Sequence, residues 1–449
     1  MNTPICDFVR EYSKKNPLRL HMPGHKGEPF LGCEKYDITE IPGADSLYEA
    51  DGIIAESEEN ASRLFGCKTY YSTEGSSQCI RAMLYLAMLH AKAQGKRMKV
   101  AAARNAHKVF LSGAAMLDLD VTWLYPDEGE NYLSCDVSAG TVERFLKEQG
   151  GEITALYLTS PDYLGNIAQI REISEVCRKY HVLLLVDNAH GAYLKFLPES
   201  LHPIDLGADI CCDSAHKTLP VRTGGAYLHI SPSVFGTVGE WARGALAMFG
   251  STSPSYLILQ SLDRANRYIS EGYPDRLSVF CADVSRCKEI LCEHGYVFLG
   301  DEPLKLTIKA KEYGYRGTEL AEILEKEGIV CEFADVNYTV LMMTPEISSD
   351  ALERVKRTLI SIPKRARIEE KPPILERMER VMTIREAMLS PSESLPISEC
   401  EGRVLASASV GCPPAVPIVV SGERIDRRAV ECFEYYGIEK VSVVRDTRQ

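Results

Sequence analysis

Nearly continuous apolar runs alternate with amphipathic stretches over the first two thirds of the chain. Residues 153–159, 182–186 and 208–212 are such runs, and they predict strands buried on both faces of a parallel sheet. Between the first two, residues 169–180 place Ile170, Ile173, Ser174 and Cys177 on one helical face. Strand, helix, strand over this length is a right-handed βαβ unit. Residues 99–103 predict a further strand, preceded by a helix over 77–94. The alternation predicts an α/β fold with a mostly parallel central sheet and helices on both faces. After a long helical stretch at 257–294 the pattern changes. Short strands at 296–299, 304–309, 329–333 and 339–343, with helices at 317–327 and 349–361, predict a small α+β domain. Thr318 reads as the N-cap of the first of these helices and Gly328 as its stop. The expected organisation is an N-terminal segment 1–50, a large domain 51–294, the small domain 295–363, a charged linker at 364–373 and a C-terminal segment 374–449 with the proline-rich turn Pro413-Pro414-Ala415-Val416-Pro417.

Composition narrows the class. At 449 residues, 45% hydrophobic and 25% charged, the chain is long enough for a large core and ordinary for a globular protein. Its formal net charge of -12 argues against nucleic acid as a partner. The 15 cysteines form no CxxC pair. Cys281, Cys287 and Cys292 match no zinc spacing, so no metal is expected. An odd, irregular set of cysteines points to reduced thiols in a cytoplasm, with Cys211 and Cys212 as small buried apolar residues. The N-terminus has no signal-peptide pattern, and no apolar stretch is long enough to span a membrane.

Polar residues cluster at the predicted strand ends, where α/β folds bind ligands. Asn105-Ala106-His107-Lys108, Ser160-Pro161-Asp162, Asp187-Asn188-Ala189-His190 and Ser214-Ala215-His216-Lys217-Thr218 each follow an apolar run. Lys217 is the most informative. Lysine is usually solvated, but at a strand end inside a site its amine can lose its proton and attack a carbonyl. Pyridoxal phosphate (PLP) is the common cofactor that needs such a Schiff-base lysine. Asp187 ends a wholly apolar strand, so it needs a partner. An N-cap or salt bridge would suffice; paired with the pyridine nitrogen of PLP, it would keep the ring an electron sink. Thr73-Glu74-Gly75-Ser76-Ser77-Gln78 opens a helix. Gly75 permits close backbone approach, and Ser76 and Ser77 offer hydroxyls beside helix-start amides, an anion site if not an ordinary serine cap. His107, His190 and His216, three of the 10 histidines, fall at these strand ends, which favours a shared site.

Eight motifs in order carry a resemblance. They are His21-Met22-Pro23-Gly24-His25-Lys26-Gly27, Ile41-Pro42-Gly43-Ala44-Asp45-Ser46-Leu47, Gly75-Ser76-Ser77, Arg104-Asn105-Ala106-His107-Lys108, Thr159-Ser160-Pro161-Asp162-Tyr163, Asp187-Asn188-Ala189-His190-Gly191, Ser214-Ala215-His216-Lys217-Thr218 and Thr252-Ser253-Pro254-Ser255-Tyr256. Through them the chain resembles the PLP-dependent ornithine, lysine and arginine decarboxylases of the aspartate-aminotransferase fold type (fold type I). The resemblance implies a large PLP-binding domain. It implies that Lys217 forms the Schiff base, Asp187 pairs with the ring nitrogen and His107 stacks on the ring. It implies that Gly75, Ser76, Ser77 and Ser214 cradle the phosphate, that His190 and His216 help hold cofactor and substrate, and that Thr252 reaches into the neighbouring subunit's site across a homodimer interface. The chain departs from the family at Gln78, at Thr223-Gly224-Gly225-Ala226 and at Ser421-Gly422-Glu423. The resemblance is to a short form, expected to be without the N-terminal wing domain of the acid-inducible members.

The expected reaction is decarboxylation of a basic L-amino acid to an amine of the polyamine class, with arginine favoured over lysine and ornithine. Lys217 or a nearby histidine would return the proton to Cα, and Glu49, Asp51 and Asp162 are loop candidates for the substrate's distal cation. Transamination or desulfuration on the same fold is a second reading, and a PLP-binding regulatory protein without turnover a third.

Overall fold

A computed structural model describes residues 1–127, 131–373, 377–407 and 414–446. They fall into two compact units: Met1–Met98 with Thr154–Leu156 and Ile170–Ser278, and Lys99–Ile153 with Tyr157–Gln169 and Val279–Gln449. Parallel strands, intervening helices and smaller antiparallel sheets give the α/β class that the hydrophobic pattern predicts.

In the first unit the strand Leu183–Asp187 is buried along its whole length and pairs in parallel with Ile210–Asp213. Ala226–Ile230 lies antiparallel between Ile210–Asp213 and Lys68–Ser72. These last two pairings are the antiparallel part of a sheet expected to be mostly parallel. The two extra strands carry Lys68, Thr69, Tyr227 and His229, so they lack the apolar run by which the parallel strands announce themselves. The helix Gly75–Ala93 starts two residues earlier than the pattern indicates, because Gly75 supplies a φ of +72° at the turn. The 257–294 stretch is two helices, Tyr256–Ser270 and Tyr273–Glu293, separated at Gly272, whose φ is +82°.

In the second unit Lys99–Ala103 and Asp120–Leu124 are parallel neighbours joined by the helix Lys108–Leu117. The small α+β region contains an antiparallel sheet in the order Phe333–Ala334, Tyr338–Met342, Lys305–Lys309, Phe298–Leu299. The helix Gly317–Lys326 is capped by Arg316 without a side-chain bond. Thr318 is already inside it, and its amide donates to Asp335 O, so Thr318 is not the N-cap. The expected strand at 329–333 shrinks to Phe333–Ala334.

The C-terminal segment carries its own three-stranded antiparallel sheet, Ser392–Pro396, Lys440–Val444 and Leu405–Ser407. It closes over a core of Ile418, Ile425, Val430, Phe433 and Val443 beside the helix Arg427–Tyr435. Pro413 of the proline-rich turn lies outside the described residues.

Candidate active site

Lys217 sits in the single helical turn Ala215–Thr218 that follows the strand Ile210–Asp213. It is half-buried, and its Nζ lies 2.9 Å from His190 Nε2. His190 is buried and follows the neighbouring strand Leu183–Asp187. The two strands are in parallel register through Asp187 and Cys212. Parallel register is what brings the two strand ends, and the residues just beyond them, to the same edge of the unit.

Asp187 is 2% exposed. Its Oδ1 accepts from the Ala189 amide at 3.2 Å and the Cys212 thiol at 3.7 Å. Burial first, and the charge of Asp187 second, hold the Cys212 thiol well above its ordinary range. Cys212 is therefore a protonated donor to the carboxylate and no nucleophile.

The helix Gly75–Ala93 begins in the same unit, with Ser76 and Ser77 in its first turn. The Ser214 hydroxyl donates to Ser76 Oγ at 2.8 Å. First-turn amides have no partners within their own helix. A Cβ added at Gly75 would meet nothing within 4 Å. Two hydroxyls, a helix start and an open glycine are groups that could hold a phosphate.

The Gly224-Gly225 pair, a departure from the family pattern, braces both turns. Gly224 O accepts from the Gly75 amide at 2.7 Å. Gly225 O accepts from the His216 amide at 3.2 Å and from His216 Nδ1 at 3.1 Å. That bond puts the imidazole proton on Nδ1 and leaves Nε2 as the acceptor. Burial lowers the His216 pKa and favours this neutral form. Gly224 has a φ of +97°, and a Cβ there would lie 2.9 Å from the carbonyl oxygen of Thr73. Gly224→Ala is expected to cost roughly 1–3 kcal/mol, read as a lower urea midpoint with an unchanged slope.

Gln78 is wholly buried in packing. Its Nε2 donates to the Tyr48 hydroxyl and to Leu246 O, each at 2.8 Å, and its Oε1 accepts from the Ser72 hydroxyl at 2.5 Å. All its polar atoms are thereby used away from the cradle. Asp45, within the Ile41–Leu47 motif, is a backbone anchor. Its carboxylate accepts from the amides of Ser46, Asp51, Gly52, Ile54 and Ala55 and so starts the helix Ile53–Phe65. Thr252 is exposed in the loop before the helix Tyr256–Ser270, and Glu49 and Asp51 are exposed as well.

His107 belongs to the second unit. It caps the helix Lys108–Leu117, accepting the Val109 amide on Nδ1 at 3.1 Å. Its loop is tied to the C-terminal segment within that unit. The Arg104 guanidinium donates to Glu423 Oε2 and to Ile418 O, each at 2.9 Å, and the Lys108 amide donates to Ala415 O. Glu423, with Ile418 O and Ala415 O, is thus a clasp on the His107 loop. Asp162 is buried, and burial pushes its carboxyl above the usual range. It accepts from the amides of Leu164 and Asn166 and from Asn166 Nδ2, which occupies it in its own turn.

The family model described as Orn/Lys/Arg decarboxylase, major domain, matches residues 3–284, and that described as Orn/Lys/Arg decarboxylase, C-terminal domain, matches 371–441. The chain belongs to the Orn/Lys/Arg decarboxylase family. This family member is 29% identical to the Bacillus subtilis (strain 168) protein described as uncharacterized protein YaaO, over 96% of the chain and 93% of that protein. It is 27% identical to an arginine decarboxylase of the same organism, over 94% and 91%. Among solved structures it is similar to the Francisella novicida lysine decarboxylase LdcF, with a TM-score of 0.80 at 15% identity over 99% and 81% of the two chains. The chain is therefore a PLP-dependent amino-acid decarboxylase acting on basic amino acids. No helix among the described residues is long and apolar enough to cross a membrane.

Proposed function

We propose that this decarboxylase acts on L-arginine, with Lys217 as the lysine that holds the cofactor. The observation that carries the assignment is the Lys217 Nζ–His190 Nε2 contact of 2.9 Å, beside buried Asp187 and in the same unit as the Ser76–Ser214 pair. The residues present fit PLP. The open Gly75 turn and the two hydroxyls suit its phosphate, the amine suits its aldehyde, and the carboxylate suits its ring nitrogen. When bound, PLP supplies an electron sink for the pair left at Cα as carbon dioxide departs.

The remaining work falls to the protein. Asp187 offers a carboxylate where positive charge must be held, with donors from Ala189 and Cys212 to orient it. His216, neutral with an accepting Nε2, can hold a proton in transit, and Lys217 Nζ is the amine that returns one to Cα. His107 presents an imidazole whose Nδ1 is fixed by the helix cap, and we assign its ring to stacking on the cofactor. Thr252, with its exposed loop, is assigned to the site of a second subunit. Exposed Leu18, Leu20, Met22, Phe30 and Leu31 give the N-terminal stretch an apolar surface that supports a homodimer. The described cysteines are free thiols, which supports a cytoplasmic enzyme supplying an amine to polyamine synthesis.

Arginine is favoured by the arginine decarboxylase relative and by the full-length match to it. Of the three loop candidates, Glu49 and Asp51, exposed and just after the Asp45 anchor, are assigned to meet a guanidinium, since Asp162 is engaged in its own turn. A panel of arginine, lysine and ornithine, followed by carbon dioxide release and amine analysis, tests this. The expected kcat/KM for arginine exceeds the others by about tenfold or more, the range a site built for one hydrogen-bonding group can reach. A higher value for lysine or ornithine overturns the assignment.

A further inference from the structure

Asp213 ends the strand Ile210–Asp213 immediately before Ser214 and is fully buried. An isolated carboxylate there would be costly. Its Oδ2 accepts from His202 Nε2 and His229 Nε2, each at 3.1 Å, and its Oδ1 accepts from Asn188 Nδ2 at 2.7 Å. The Cys211 thiol adds a weaker donor at 3.6 Å. Both imidazoles are fully buried as well, and His229 continues to the Thr69 hydroxyl at 2.9 Å. Burial alone would raise the Asp213 pKa, but the two imidazoles outweigh it and keep the group ionised. Burial likewise opposes charge on His229, and Asp213 outweighs it.

His202, Cys211 and Asp213 offer atoms within 4.8 Å of one another, a spacing a metal ion could use. The hydrogen bonding argues otherwise. His202 Nδ1 accepts the Ile204 amide at 3.4 Å, which leaves the ring proton on Nε2 facing Asp213. A proton and a metal cannot share that lone pair.

The place of this network matters more than its charge. Parallel pairing of the two site-bearing strands ends at Asp187 and Cys212. One residue on, the ladder is replaced by the Asn188–Asp213 side-chain bond and by the Asn188 amide donating to Cys212 O. Asn188 adjoins Asp187 and lies two residues before His190. Asp213 adjoins Ser214 and lies four residues before Lys217. A Cβ on Gly191 would fall 1.9 Å from Asn188 Oδ1, so this side chain occupies room that only glycine leaves.

We propose that Asp213 and Asn188 are positioning residues that pin the loop bearing Asp187 and His190 to the turn bearing Lys217. The buried imidazoles hold the Asp213 carboxylate rigid, and the Asn188 side-chain carboxamide carries that rigidity to the loop one residue beyond the last paired positions of the two strands. The inference rests on the assignment of Lys217 and Asp187 above.

Asn188→Ala in the PLP-loaded enzyme is the cleanest test, because it leaves the carboxylate with both imidazoles. The expected result is a fall in kcat of about tenfold or more, the scale of a small misplacement of reacting groups, with KM changed less than about threefold. The pH midpoint of the cofactor's visible band shifts by about half a unit or more. Asp213→Asn gives the same kinetic and spectral changes with a lower thermal midpoint; if that variant does not fold, Asn188→Ala decides alone. Wild-type kcat and spectral midpoint in Asn188→Ala, with only the thermal midpoint lowered, would overturn the proposal. So would stoichiometric metal in the purified enzyme. Borohydride fixation of PLP at a lysine other than Lys217 would remove the underlying assignment, and the proposal with it, by a separate readout.

Discussion

Lys217→Ala is expected to lower the decarboxylation rate by about 10³-fold or more, the span by which one positioned acid–base group contributes. By transition-state arithmetic that loss is about 4 kcal/mol. The fold should survive. Lys217 is half-buried in a four-residue helical turn, and its amide donates to Ser214 O at 3.0 Å through the backbone, which alanine preserves. What disappears is the amine 2.9 Å from His190. Turnover at saturating substrate, far-UV circular dichroism and mass analysis after borohydride separate these effects. The variant should keep its ellipticity, lose the pyridoxyl mass at position 217 and lose turnover. Retention of more than about a tenth of the wild-type rate would sink the assignment, since no second amine could supply 10³ in its place.

The strand that ends at Asp187 was legible because five consecutive buried residues leave an apolar run that nothing else explains. The strand Ala226–Ile230 was not, because its interior holds His229. That histidine is tolerable at a fully buried position because its ring nitrogens meet the Asp213 carboxylate and the Thr69 hydroxyl, and the first of these bonds spans 16 residues of chain. The same reason hid the whole Asp213 network. His202 lies in a loop and Asn188 after another strand, so the cluster exists only once the strands are in register. Gln78 and Gly224 illustrate the opposite case. Each was visible as a departure from a pattern, yet its reason lay in contacts: Gln78 bridges Ser72, Tyr48 and Leu246, and Gly224 supports the Gly75 amide. The C-terminal segment offered a proline-rich turn and little periodicity. Its ties to the His107 loop include the part-buried ion pair of Arg104 with Glu423, whose partners are more than three hundred residues apart in sequence.

Asp187→Asn is expected to reduce kcat by about 10²–10³-fold, the effect of removing one preorganised electrostatic group from a buried position. The substitution is nearly isosteric, so the buried strand need not move. The Ala189 amide can still donate to an amide oxygen at position 187. The charge, however, is gone, and with it the group that, in the proposed arrangement, would keep the cofactor's ring nitrogen protonated. The loss should appear in kcat more than in KM, because the substrate's own cation and carboxylate are not held by this residue in the proposed arrangement. It should also appear without substrate, as weaker retention of PLP on dialysis. Asp187→Glu distinguishes charge from geometry. It keeps the carboxylate but forces an extra methylene into a position that is 2% exposed, at a packing cost of roughly 1–3 kcal/mol. If charge is what matters, the glutamate variant retains more turnover than the asparagine variant while unfolding at lower temperature. Equal turnover in wild type and Asp187→Asn would assign the carboxylate to holding its own strand end, through Ala189 and Cys212, and would leave the electron sink without a protein partner.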